Sequence, residues 1–248
     1  MDKKEKLNTP HQTQVMILGT SHIAKESIDK IREVFIKDRP DFVCVELDKG
    51  RLQALLSEKK KSISLSTIKR VGFTGFIFSL IGGFVQKKLG KFVGLEPGSD
   101  MLSAIKMAQE YGARVVLIDQ NIEYTLRRLS EEFSFMEKIR FLFDIIKSIF
   151  LPRKELEELG IRNINISKIP SCDLVNIVIQ KIRKRYPGLY KTLIRERNEY
   201  MFHNILKICQ MQPGSKVLVV VGAGHEEGLK ELFDEHTKSM ASTIRSNP

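Results

Sequence analysis

Short apolar runs that break on glycine or an acidic residue alternate along this chain with stretches of helical period. VMILG (15–19) and VLVVVG (217–222) carry no polar residue at alternate positions, so both read as strands buried on two faces. ESIDKIREVFI (26–36) places Ile28, Ile31, Phe35 and Ile36 at helical spacing, and RPDFVCVELD (39–48) adds a Pro-Asp turn and a second apolar strand. Strand, helix and strand in so short a span have the size of a βαβ unit, which predicts parallel pairing. EPGSDMLSAIKMAQEYG (96–112) predicts a helix capped by Ser99 or Asp100, buried through Met101, Ile105 and Ala108, and ended by Gly112. ARVVLID (113–119) predicts a further buried strand, and IEYTLRRL (122–129) a further helix.

From about 131 to 212 nearly everything has helical period, interrupted near Pro152 and Pro187, before KVLVVVGAGHEEGLKELF (216–233) returns to strand, turn and helix. The predicted fold is α/β, a largely parallel central sheet of βα units with a large helical insertion before the last strand. Residues 1–13 form a polar N-terminal segment, 14–236 the α/β domain and 237–248 a tail. The run VGFTGFIFSLIGGFV (71–85) is the most apolar in the chain but shorter than the ~20 residues a bilayer-spanning helix needs. Its expected role is a packed helix or a partner-facing surface, with membrane-surface contact through this run and the adjacent lysines as the alternative.

Composition changes this picture little. With 248 residues, 42% hydrophobic and 29% charged, the chain supports a large buried core. The formal charge of +11 resides in clusters such as KIRKR (181–185), but no nucleic-acid-binding motif accompanies it, so the reading is a solvated basic surface and no specific nucleic acid. Cys44, Cys172 and Cys209 lack C-x-x-C spacing and cannot all pair. They read as free thiols in a reducing compartment, and with no signal-peptide core at the N-terminus the expected location is the cytoplasm.

Candidate chemistry follows from the strand ends, where ligands of open α/β sheets bind. Two strands end in the same way, GTSH (19–22) and GAGH (222–225), each with a histidine three residues after a glycine. Glu46, Asp48 and Asp119 end two more. Parallel strands bring these histidines and carboxylates to one edge, where imidazole serves as metal ligand or general base and carboxylate as ligand or orienting group. Gly19 and Gly222 are expected to turn the chain and bring backbone amides close to a ligand. Within RERNEYM (195–201), Arg197 and Asn198 either reach inward, to bind an anion or orient a carboxylate, or belong to a solvated helix with local ion pairs. HEEGL (225–229) is not a zincin H-E-x-x-H, since 229 is Leu, and GAGHEEG is neither a P-loop nor a Rossmann fingerprint.

The blocks ILGTSHIAKESIDKI, RPDFVCVELDKGRLQALL, LEPGSDMLSAIKMAQEYGARVVLIDQNIEYTLRRL, ERNEYM and VVVGAGHEEGL resemble, in order, those of the TraB/PrgY family. That family is related to the Tiki and GumN proteins and, more distantly, to the erythromycin-esterase and ChaN-like group. The resemblance implies an α/β fold with paired G-x-x-H motifs. Its Tiki relatives are metal-dependent proteases, PrgY is associated with shutdown of a peptide pheromone, and the more distant ChaN binds haem. By this resemblance His22 and His225 are the paired histidines, Glu46 the acidic residue of the first unit, Asp119 an acidic strand end, and Arg197 with Asn198 the helical Arg-Asn pair.

The expectation is a metal-dependent hydrolase of the peptidase or amidase type, acting on a peptide or small amide. His22, His225 and Glu46 would hold a divalent ion such as Zn, Mn or Co, and Glu46, Arg197, Asn198 and Asp119 would serve catalysis. Two alternatives stay open: a metal-independent, esterase-like hydrolase with a histidine base, and a non-catalytic module binding a peptide, haem or a membrane partner.

Overall fold

The computed structural model of the chain describes residues 6–8, 13–20, 24–57, 72, 98–150 and 171–246. Five strands make one sheet: β1 (Lys6–Asn8), β2 (Gln14–Thr20), β3 (Phe42–Val45), β4 (Arg114–Leu117) and β5 (Lys216–Gly222). Their spatial order is β1-β2-β5-β3-β4. The last four in that order are parallel, and β1 pairs antiparallel with β2. The fold is therefore α/β around a largely parallel sheet. Residues 6–8, read from sequence as part of a polar leader, add an edge strand to it.

Burial along the strands follows the pleat, in which neighbouring side chains point to opposite faces. Val15, Ile17, Cys44, Val217, Val219 and Val221 pack against α8 (Glu196–Met211) and α9 (Ala223–Ser246), through Met201, Phe202, Ile205, Leu229 and Phe233. Met16, Val43, Val45, Leu218 and Val220 face the other way, toward α1 (Ala24–Asp38) and α3 (Ser99–Glu110). Helices on both faces are what allow central strands to be apolar at every position. Strand β4 departs from its expected burial: as the edge of the sheet it leaves Arg114 exposed and Val115 to Leu117 half-buried.

Helix α3 starts on Gly98, at φ 87°, with no side-chain cap, and not on a cap supplied by Ser99 or Asp100. Asp100 is instead buried, accepting from the Met101 amide and the Thr20 hydroxyl. Gly112, at φ 75°, ends the helix in the left-handed region as expected. The short α2 (Lys49–Leu56) follows β3 and is capped by Asp48, which accepts from the amides of Gly50 and Arg51.

Among the described residues, the helices that next follow β4 are α4 (Ile122–Glu132), α5 (Phe135–Phe150), α6 (Ser171–Arg185) and the single turn α7 (Pro187–Tyr190), the last three within the helical insertion. A π-helical turn at Lys191–Arg195 joins α7 to α8. These helices share a satellite core of Leu129, Phe133, Tyr186 and Leu189, closed by edge-to-face contact of Phe141 with Phe133 and Tyr186. Helix α9 extends to Ser246, through residues read from sequence as a tail.

Of the apolar run 71–85, only Gly72 falls within the described residues. Among those residues, no helix is long and apolar enough to cross a membrane.

Candidate functional site

The carboxyl ends of β3, β4 and β5 meet beneath the first turns of α8, and each contributes to one buried polar cluster. Glu46 follows β3 directly, and both its main chain and its side chain are tied to β5. Its amide donates to the Val220 carbonyl (3.1 Å), and the Gly222 amide donates to Glu46 Oε2 (2.7 Å). Glu46 Oε1 accepts from Arg197 Nη2. The same guanidinium donates to both oxygens of Asp119, from Nη2 at 2.6 Å and Nε at 3.2 Å. Arg197 thus reaches inward and orients two carboxylates, as one of the two sequence readings had it.

Arg51 on α2, which sequence reasoning had not singled out, also donates to Asp119 Oδ2 and holds Asp48 at 2.9 Å. Its signal was present as an acid-x-x-Arg pair opening a helix just past a strand. Three carboxylates against two guanidiniums leave one negative charge for other groups to balance. With its oxygens engaged by two arginines and the Gln120 amide, Asp119 serves as the anchor of both cations.

His225 sits in the first turn of α9, buried, between Asn198 and Glu46. Its Nδ1 lies 2.6 Å from Asn198 Oδ1. A carbonyl oxygen only accepts, so Nδ1 carries the proton, and in the neutral ring Nε2 keeps its lone pair. That lone pair faces Glu46 Oε1 at 3.3 Å. Two acceptors held so close repel each other unless a proton or a metal ion lies between them. Metal–ligand bonds of 2.0–2.2 Å in tetrahedral geometry separate neighbouring ligand atoms by roughly 3.4 Å. The pair therefore fits one edge of a divalent-ion site, and the Asn198 bond is of the kind that orients ligating histidines elsewhere. The same Glu46 oxygen also accepts from Arg197, so an ion there would share it with a guanidinium. Among the described residues no third His, Cys, Asp or Glu completes the set. His22, the third expected ligand, lies outside them; β2 and β5 do pair in register up to Thr20 opposite Gly222, two residues before it.

The glycines of the two motifs have a different role from the one expected. Gly19 lies within β2, where any side chain would collide with the Glu226 carboxyl; Glu226 is a further acidic group at this edge that sequence reasoning passed over. At Gly222 a Cβ would sit 3.3 Å from Glu46 Oε2. Both make room for the protein's own carboxylates. Further along α9, Gly228 makes room in the same way for the Asn198 amide. A cleft of about 810 Å³ opens beside it, lined by Arg183, Gly188, Lys191, Arg195, Asn198 and Gly228 among others. Asn198 is the residue it shares with the buried cluster.

Burial works to raise the Glu46 carboxyl, but His225, protonated in the acid range where Glu46 titrates, outweighs it together with Arg197, the Gly222 amide and Arg51, and the group is held at about 2. Burial lowers His225 below its ordinary 6.5, with Glu46 opposing and Arg197 assisting. A histidine that resists protonation only when folded stabilises the protein fully above pH 6.5, and that stability is lost as the pH falls. In chelator-treated protein, the urea midpoint is expected to fall as the pH drops below about 6.5, and His225→Gln should abolish that slope. The Glu46 contribution is present above its ordinary 4.5 and is lost as the pH falls through about 2, so the loss from His225 begins at the higher pH. An unchanged slope in His225→Gln would assign the titration elsewhere.

A family model described as the TraB/PrgY/gumN family matches residues 6–239. An uncharacterised protein of Methanocaldococcus jannaschii is 29% identical over 230 residues, covering 90% of this chain and 54% of that protein. TraB domain-containing proteins of Mus musculus and Homo sapiens are 21% and 22% identical over 243 residues, covering 88% of this chain and 62% of each relative. The chain thus spans little more than half to under two thirds of the length of these relatives.

Proposed function

This chain belongs to the TraB/PrgY/gumN family, and from that premise we propose that it is a metal-dependent hydrolase acting on a peptide or small amide. The observation that carries the reading is the His225 Nε2 lone pair held 3.3 Å from Glu46 Oε1, with Nδ1 occupied by Asn198. Under this reading His225 and Glu46, with His22, hold a Zn, Mn or Co ion. Such an ion, when bound, makes water acidic enough to serve as a nucleophile near neutral pH and polarises a carbonyl.

The chain's own residues have separable parts. Asn198 fixes the imidazole tautomer and aims Nε2. Arg197 and the Gly222 amide keep Glu46 ionised, which suits a ligand and disqualifies it as a base working near neutrality. Asp119 and Arg51 hold Arg197 in place and so position Glu46 indirectly. The cleft beside Asn198 has the volume for a short peptide segment, whose backbone would lie within reach of that amide.

Elemental analysis of the purified chain beside His22→Ala and His225→Ala tests the ion, and hydrolysis of a mixed peptide pool, followed by mass spectrometry, tests the reaction. Near-stoichiometric metal in the wild type, lost in both variants together with cleavage, is the expected result. Cleavage that survives exhaustive chelation would replace the ion with a histidine base. Stoichiometric peptide retention without product would make the chain a binding module.

A further inference from the structure

Helix α5 has an inner face that is fully engaged. Glu137 accepts from the amides of Ser134 and Gly188, Asp144 accepts from Arg185 and Tyr186, and Phe141 packs on the satellite core. Its opposite face is apolar, and nothing among the described residues covers it. Phe135, Met136, Ile139, Leu142 and Phe143 recur at helical spacing and are 37 to 73% exposed. The largest apolar patch of a soluble monomer is typically about 300–600 Å², and five large side chains exposed to this degree on one helix reach the top of that range.

The charges on the same helix are sorted. Both acidic residues among 135–144, Glu137 and Asp144, turn inward, whereas Lys138 and Arg140 stand outside. At 100° per residue they fall about 100° to either side of the centre of the apolar stripe, one on each border. Arg140 donates one N–H to the Arg185 carbonyl, which leaves its charge uncompensated, and no carboxylate pairs with Lys138 or Arg140 among the described residues. Arg183, Lys184 and Arg185 end α6, beside it. An apolar stripe bordered by cations on a chain of net charge +11 is complementary to a surface with an apolar interior and anionic headgroups.

We propose that α5 docks this protein on an anionic lipid bilayer, with Phe135, Leu142 and Phe143 entering the acyl boundary while Lys138 and Arg140 meet the headgroups. The helix lies in the interface without crossing it. This differs from the contact expected of the 71–85 run, and it does not depend on the metal site.

The test is co-sedimentation of the full chain with vesicles of phosphatidylcholine alone and of phosphatidylcholine with phosphatidylserine. The wild type is expected to pellet with the anionic vesicles and to be released by high salt. A Phe135→Ser/Leu142→Ser/Phe143→Ser variant, altered only at exposed positions, should lose more than about tenfold in partitioning, since each side chain withholds its apolar area from the membrane. Lys138→Glu/Arg140→Glu, which leaves the stripe intact, should abolish the preference for phosphatidylserine. Circular dichroism and thermal unfolding confirm that both variants remain folded. Failure of the wild type to pellet with anionic vesicles, or equal pelleting of the serine variant, overturns the proposal. So does a wild-type dimer that light scattering shows to become monomeric in the serine variant without any vesicle binding, which would assign the stripe to a second copy of the chain.

Discussion

Arg197→Met lowers stability by about 3–5 kcal/mol, the cost of removing one partner from a buried ion cluster. Side-chain exposure is 13% for Arg197, 11% for Glu46 and zero for Asp119, so water cannot replace the lost guanidinium. The damage is unequal. Asp119 keeps Arg51, while Glu46 keeps only the Gly222 amide and a histidine that burial holds neutral. Neutralising that orphan should therefore repair much of the loss, and Glu46→Gln/Arg197→Met is expected to recover about 1–3 kcal/mol relative to Arg197→Met. Urea unfolding of the wild type, both single variants and the double closes the cycle. An Arg197→Met protein within about 1 kcal/mol of the wild type would show that the cluster is wet or readily rearranged.

Gly228→Ala is expected to be the second most damaging change, although alanine normally favours a helix interior by about 1 kcal/mol over glycine. Its Cβ would overlap Asn198 Nδ2, and that amide is buried and holds His225 through its oxygen. Displacing Asn198 frees the imidazole to turn. A net loss of about 1–3 kcal/mol in stability is expected from overpacking. Under the proposed metal site, a 10–100-fold loss in metal affinity or activity is expected from the missing outer contact. Gly224→Ala is the control one turn earlier on the same helix. There the nearest atom is Ile179 Cδ1 at 2.9 Å, the end of a flexible side chain that can swing aside. Gly224→Ala should leave metal binding intact; equal defects in the two variants would mean that helix α9, and not Asn198, is what both disturb.

The fold was legible because its signals are local. Apolar runs without alternation mark strands covered on both faces, and Gly112 stops α3 by a conformation glycine adopts readily. The meeting of Glu46, Asp119 and His225 followed from one rule, that parallel strands open their carboxyl ends at one edge, whereas Arg197 and Asn198 come from α8, for which the sequence left a solvated face equally open. What the sequence did not disclose is who binds whom across it. Arg197 and Glu46 are 151 positions apart, and nothing near either residue announces the other. Arg51 was hidden by looking like one more surface arginine. Gly19 and Gly222 were given to a ligand because an absent side chain leaves no trace of what fills its space; here it is Glu226 and Glu46. The π-turn at Lys191–Arg195 has no sequence mark either, yet its Leu193 carbonyl accepts from Arg197 Nη1 at 3.2 Å and helps to hold that side chain in place.

The strand order β1-β2-β5-β3-β4 bears on how the protein comes into being. The ribosome delivers β5 last, yet β5 lies between β2 and β3 and is the strand through which those two are joined. Until residue 222 emerges, the nascent chain holds two sheet fragments with unfilled inner edges, β1-β2 and β3-β4, each able to pair with a stranger. The same late strand brings Gly222 and, three residues on, His225 to Glu46. Sheet closure and assembly of the polar cluster are thus a single event that waits for residues 216–225, and a chain that stops before them is left with open edges and no site.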